Sequence, residues 1–119
     1  MKFKASCSLL ILLNSNLVEN LTLSDGFENW VIGKNVNVVT KTGSKVIINF
    51  SIHGTLIPEK NNCIATIPIG FRPKNNIIIP VSFINSYGYG TILENGEIYV
   101  CPEINNPVYV GSTVEYYIE

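Results

Sequence analysis

At 119 residues the chain is long enough for one domain with a modest core and has no room for a second. Apolar residues make up 46% and charged residues only 14%, well below the usual quarter, so Asn, Ser, Thr and Tyr must solvate a surface suited to carbohydrate or close protein contact. The net charge of -1 is dispersed, and no Lys/Arg cluster exists that would neutralise several phosphates, which argues against nucleic acid as a partner.

Residues 1–20 differ from the rest. Lys2 and Lys4 precede the apolar run Ala5-Ser-Cys-Ser-Leu-Leu-Ile-Leu-Leu13, which has signal-peptide composition and is too short to span a bilayer. The following Asn14-Ser-Asn-Leu17 offers no cleavage site of small residues, and Cys7 precedes the apolar core, which does not fit a lipoprotein anchor. Two expectations stay open: an exported chain, or a segment connecting residues 21–119 to a shaft, including a start codon placed inside a longer reading frame.

From Leu21 onward the patterning is that of short strands. Leu21-Thr-Leu23 alternates, Asp25-Gly26 breaks the run, and Trp30-Val-Ile32 opens an apolar patch. Val36 to Lys41 and Lys45 to His53 are β-prone runs joined by Thr42-Gly43-Ser44, a hairpin with a three-residue loop. In the second run Val46, Ile48, Phe50 and Ile52 share one face, predicted to be core. Cys63 to Ile67 leads into Pro68-Ile-Gly-Phe-Arg-Pro73, where two prolines and a glycine enforce a tight, buried corner. Ile77 to Ile84 is continuously apolar, which predicts a strand between two packed surfaces, with Pro80 arguing for an edge, a bulge or a break. Ser86-Tyr-Gly-Tyr-Gly90 reads as a mobile loop, and Asn95-Gly96 as a type I′ hairpin turn. Residues 101–107 are irregular, and Thr113 to Ile118 alternates with Val114, Tyr116 and Ile118 inward. No segment sustains a helical period. Together these signals predict an all-β fold, an antiparallel β-sandwich of jelly-roll type.

Little of this carries chemistry. Cys7, Cys63 and Cys101 lack C-x-x-C spacing and His53 has no acidic or thiol neighbour in sequence, so neither a metal site nor a cofactor is expected. Cys63 and Cys101 are expected as buried, unpaired thiols behaving as small hydrophobes, with one disulfide between them as the alternative if the first segment is removed. A His53–Cys63 thiolate pair has nothing local to assemble it; a satisfied sheet histidine is the plainer expectation. Glu94 and Glu97 flank a solvated hairpin tip, where a carboxylate pair repels and lacks the cleft that glycoside hydrolysis needs. The chain is therefore expected not to be an enzyme. Arg72, on a fixed turn, is expected to brace its own chain. Among the tyrosines, at positions 87, 89, 99, 109, 116 and 117, the glycine-flanked Tyr87 and Tyr89 are the candidate ligand-binding residues: amphipathic rings stack on sugar faces while their hydroxyls reach sugar oxygens.

The corner Ile64-Ala-Thr-Ile-Pro-Ile-Gly-Phe-Arg-Pro73 and the hairpin Gly90-Thr-Ile-Leu-Glu-Asn-Gly-Glu-Ile98 resemble motifs of receptor-binding head domains on bacteriophage tail fibres and baseplates. Leu21-Thr-Leu-Ser-Asp-Gly-Phe27 is similar to that family's opening motif, and Lys45-Val-Ile-Ile-Asn-Phe-Ser-Ile52 to one of its strands. The resemblance covers about Leu21 to Glu119. It implies a homotrimeric β-sandwich on the virion tail, recognising host-surface polysaccharide or teichoic acid and contacting other tail proteins, with no membrane partner. These motif residues serve the fold, so no binding residue transfers by position. Such heads normally follow a fibrous region, absent here, which leaves a fragment, a separate subunit or a small secreted adhesin. A structural baseplate or tail-tip protein without a glycan site is the alternative function.

Overall fold

A computed structural model of the chain describes residues 16–30, 36–84, 86–103 and 108–118. The apolar run Ala5 to Leu13 with Cys7, the Val31-Ile32 part of the patch and residues 104–107 lie outside these. Ten strands form, and no helix is present among the described residues: β1 (Asn16–Asn20), β2 (Thr22–Leu23), β3 (Glu28–Asn29), β4 (Val38–Thr42), β5 (Lys45–His53), β6 (Asn62–Thr66), β7 (Ile77–Phe83), β8 (Ser86–Ile92), β9 (Glu97–Val100) and β10 (Tyr109–Tyr117).

All pairings are antiparallel, and the sheet runs β1-β4-β5-β10-β7-β8-β9-β6-β2 with β3 added beside β5. Its two ends are consecutive in the chain. Residues 16–20 pair with β4 and residues 22–23 with β6, so one stretch of backbone joins both edges and the sheet nearly closes into a barrel. Leu21, buried between the two pairings, donates its N–H to the Asn37 carbonyl at 2.9 Å. On the opposite side the closure is thin: β10 and β7 share the single pair Gly111↔Ser82, supplemented by the Ser112 hydroxyl donating to the Pro80 carbonyl. The all-β antiparallel expectation is met by one curled sheet in place of two separate stacked ones.

The core is the barrel interior. Val46, Ile48, Phe50 and Ile52 of β5 are all at most 1% exposed, as their alternation predicted, and they meet Ile79, Val81 and Phe83 of β7 and Ile92, Ile98 and Val100 of β8 and β9. Burying each such side chain contributes about 1.5–3 kcal/mol, which makes the period-two alternation the dominant instruction for register.

Three local expectations change. The β4–β5 hairpin pairs Thr42 with Lys45, so its turn is the two residues Gly43-Ser44, with Gly43 supplying a φ of 62°. At Asn95-Gly96 only the glycine has positive φ (92°), the Gly96 N–H donates to Leu93 and the Leu93 N–H to Glu97. This is a tight turn followed by a glycine bulge, selected because the Asn95 carboxamide accepts the Glu97 N–H at 3.0 Å and holds Asn95 at negative φ. The β7 strand, expected to be buried on two sides, is buried on one: Ile79 is 1% exposed whereas Ile78 is 76% exposed, because none of the described residues covers it on the barrel's outer face. Pro80 points outward there, opposite Tyr89, and its missing N–H costs little beside the thin β7–β10 seam.

The corner is as compact as its prolines require. Pro68 accepts from the Phe71 N–H across Gly70 (φ 99°), Phe71 and Pro73 are buried, and the Arg72 Nε donates to the Ile67 carbonyl at 2.7 Å. Arg72 therefore braces its own chain. The Gly96 turn packs directly beneath it, with the Ile67 N–H donating to the Gly96 carbonyl at 2.8 Å.

Candidate functional site

Tyr87 and Tyr89 lie on a strand, not on a mobile loop. Ser86 to Ile92 forms β8, seven residues long, paired along its whole length with β7 and, at Gly90 to Ile92, also with β9. The glycine-tyrosine alternation is strand periodicity: rings face out and glycines face in. A Cβ at position 88 would stand 3.0 Å from the Phe83 ring, and one at position 90 would stand 2.7 Å from the Tyr99 carbonyl oxygen. The glycines thus admit close inner packing and do not confer mobility. As a consequence Tyr87 is 90% and Tyr89 71% exposed on a fixed backbone.

Two concavities flank the first of these rings. One, of about 570 Å³, is lined by Trp30, Ser82, Phe83, Ile84, Ser86, Tyr87 and Tyr109; the other, of about 450 Å³, by Tyr87, Gly88, Tyr89, Cys101 and Glu103 among others. All of these residues come from one end of the barrel, where β7 ends, β8 and β10 begin, and the chain leaves β9. The corner and the Gly96 turn occupy the other end.

Sequence reasoning missed Trp30 and Tyr109. The Trp30 ring packs in tilted contact with His53, ring centroids 5.0 Å apart, and with Tyr109 at 5.5 Å, an assembly made by the long-range pairs β3–β5 and β5–β10 that no local motif announces. His53 Nδ1 lies 3.5 Å from the Glu28 carboxylate, so the acid partner absent in sequence is supplied across strands. Trp30 is further held by its N–H, which donates to the Ser51 carbonyl at 3.0 Å. Asn37 anchors this region: its Oδ1 accepts from the Ser51 N–H, while Nδ2 donates to Ser51 and to Asn29 of β3. The carboxamide thereby replaces a strand pair on the edge of β5 between β4 and β3. Gly111 completes the arrangement, since a Cβ there would collide with the Tyr109 hydroxyl.

The remaining sequence candidates stand apart. His53 is on β5 and Cys63 on β6, where the latter accepts weakly from the Ser24 hydroxyl. Cys63 and Cys101 are unpaired and half-buried, not buried: at the bulge between Cys63 and Ala65 it is Ile64 that turns inward, and Cys101 lies just beyond the end of β9. Glu97 does not face Glu94; its carboxylate accepts from Asn95 and from the Tyr99 hydroxyl at 3.2 Å, and that hydrogen bond raises the Tyr99 pKa. Among the described residues no three His, Cys, Asp or Glu side chains cluster to hold a metal ion, and no helix is long and apolar enough to cross a membrane.

No family model and no curated protein matches the chain. Among solved structures, the crystal structure of the receptor binding protein (gp15) of Listeria phage PSA superposes with a TM-score of 0.71 at 14% sequence identity, covering 99% of this chain and 74% of that one. The chain has the fold of a phage receptor-binding protein. The likeness resides in backbone architecture.

Proposed function

We propose that the chain is a receptor-binding module of a bacteriophage tail that recognises host-surface saccharide without turnover, through the outer face of β8. The observation that carries this reading is the pair Tyr87 and Tyr89, exposed on the stretch of β8 that is held by its ladder with β7, beside two concavities. Amphipathic rings on a rigid element bind a sugar face at low entropic cost. No lysine or arginine is among the described residues that line either concavity, which favours a neutral saccharide over teichoic acid. The fold likeness supports a place on the virion tail among other tail proteins.

Adsorption of the fluorescently labelled domain to host cells tests the reading. Tyr87→Ala combined with Tyr89→Ala should abolish adsorption while the β-type circular dichroism spectrum persists; undiminished adsorption by the double variant would place the site elsewhere. A structural tail-tip role is the second reading, favoured by Ile69 and Ile78, 83% and 76% exposed and suited to protein contact. Failure of the wild-type domain to bind any cell-wall preparation would select it.

A further inference from the structure

We infer that the two concavities are consecutive subsites for a linear neutral glycan, with Tyr87 as the shared wall and Trp30–Tyr109 as the platform of the second sugar ring; this rests on the saccharide reading above. Tyr87 lines both hollows, whereas Trp30 lines only the first and Tyr89 only the second. A ligand held on Tyr89 alone would leave the first hollow empty, and a ligand crossing β8 would fill both. Each volume, about 570 and 450 Å³, falls within the roughly 300–1,000 Å³ typical of small-molecule sites.

The linings specify the ligand chemistry. In the first hollow aromatic faces from Trp30, Tyr87 and Tyr109 stand beside the hydroxyls of Ser82 and Ser86, and none of the described lining residues is charged. Aromatic faces take the apolar side of a sugar ring and hydroxyls take its rim. The second hollow adds one carboxylate, Glu103, which accepts from sugar hydroxyls and repels phosphate. Trp30 is positioned before any ligand arrives, because His53 and Tyr109 hold its ring and Ser51 its backbone. Such preorganisation reduces the ordering cost of binding.

Trp30 is the single tryptophan of the chain, so its emission reports on the first hollow alone. The full chain would be titrated with oligomers of one to four units of glucose, galactose, rhamnose and N-acetylglucosamine, and with poly(glycerol phosphate). An oligosaccharide is expected to bind roughly tenfold or more tightly than its monosaccharide and to shift Trp30 emission. Trp30→Ala should remove that gain in affinity, and Trp30→Phe should keep most of it. If Trp30→Ala fails to fold, the wild-type emission and the Trp30→Phe affinity still decide the matter. Oligosaccharide binding that is lost with Tyr87→Ala and Tyr89→Ala, yet leaves emission and Trp30→Ala affinity unchanged, would overturn the second subsite and leave the saccharide reading standing. Binding of poly(glycerol phosphate) alone, or of no member of the panel, would overturn both.

Discussion

Asn37 is buried, 4% exposed, and holds a φ of 57° that most residues avoid. Its carboxamide accepts from the Ser51 N–H and donates to the Ser51 carbonyl and the Asn29 side chain, so truncation takes from the half-buried Ser51 N–H its acceptor, while the Ser51 carbonyl keeps the Trp30 N–H. Asn37→Ala should therefore cost about 1–3 kcal/mol in urea denaturation, combining the lost acceptor of a half-buried N–H with left-handed backbone strain. Asn37→Gly, free of that strain, should cost less, and both should shift Trp30 emission to the red. Tyr116 offers a second test. Its hydroxyl donates to the Phe71 carbonyl, tying β10 to the corner, and burial pushes its phenol pKa up. Because the folded value lies above the ordinary value of about 10, the unfolded chain loses this proton first as pH rises. The stability difference between wild type and Tyr116→Phe, about 1 kcal/mol at neutral pH, should be constant up to pH about 10 and shrink above it. Denaturation midpoints across that range measure the effect.

At the level of elements, β8 separates residues that make the fold from residues that use it. Its inward positions 88 and 90 face the core wall so closely that only glycine fits without displacement, and its outward tyrosines touch little of the barrel. Gly90→Ala would press a methyl group onto the Tyr99 backbone carbonyl, 2.7 Å from the Cβ position, and should destabilise by about 1–3 kcal/mol. Tyr87→Ala and Tyr89→Ala should each change stability by no more than about 0.5 kcal/mol. Thermal denaturation of the three variants discriminates between this account and one in which the glycines serve mobility, since a mobile loop would tolerate Gly90→Ala. The β9 hairpin follows the same logic at the other end, where Gly96 sits at a φ of 92° under the Arg72 side chain and the Ile67 carbonyl.

For the whole molecule, the barrel divides its labour between its ends. The corner, the Gly96 turn and the Tyr116 anchor close one end, and the end with Trp30, Tyr87 and Tyr109 carries the concavities. The outer face still carries Ile78, 76% exposed, on a surface poor in charge. A homotrimer that buries part of this face is the expected assembly. Multi-angle light scattering should give three times the monomer mass, and Ile78→Lys should lower it; a monomer at high micromolar concentration would count against the trimer. Far-UV circular dichroism should show a β-dominated spectrum in both forms.

By itself the sequence determined the strand content, the buried face of β5, the corner at Pro68 to Pro73 and the exposure of Tyr87 and Tyr89. These follow from local rules: alternation sets the face, proline and glycine set the bends, and amphipathic rings beside glycines find the surface. Even there the grammar was partly ambiguous, because Ser-Tyr-Gly-Tyr-Gly has both the composition of a loop and the period of a strand. Only packing against Phe83 and Val100 decided for the strand. The site's other wall was beyond local rules altogether. Trp30, His53 and Tyr109 are brought together by pairings that span most of the chain, and the barrel closes because residues 16–23 pair at both edges of one sheet. Such contacts depend on the free energy of the completed core, in which each strand's partner is chosen by the burial of all the others, and no local pattern carries that information.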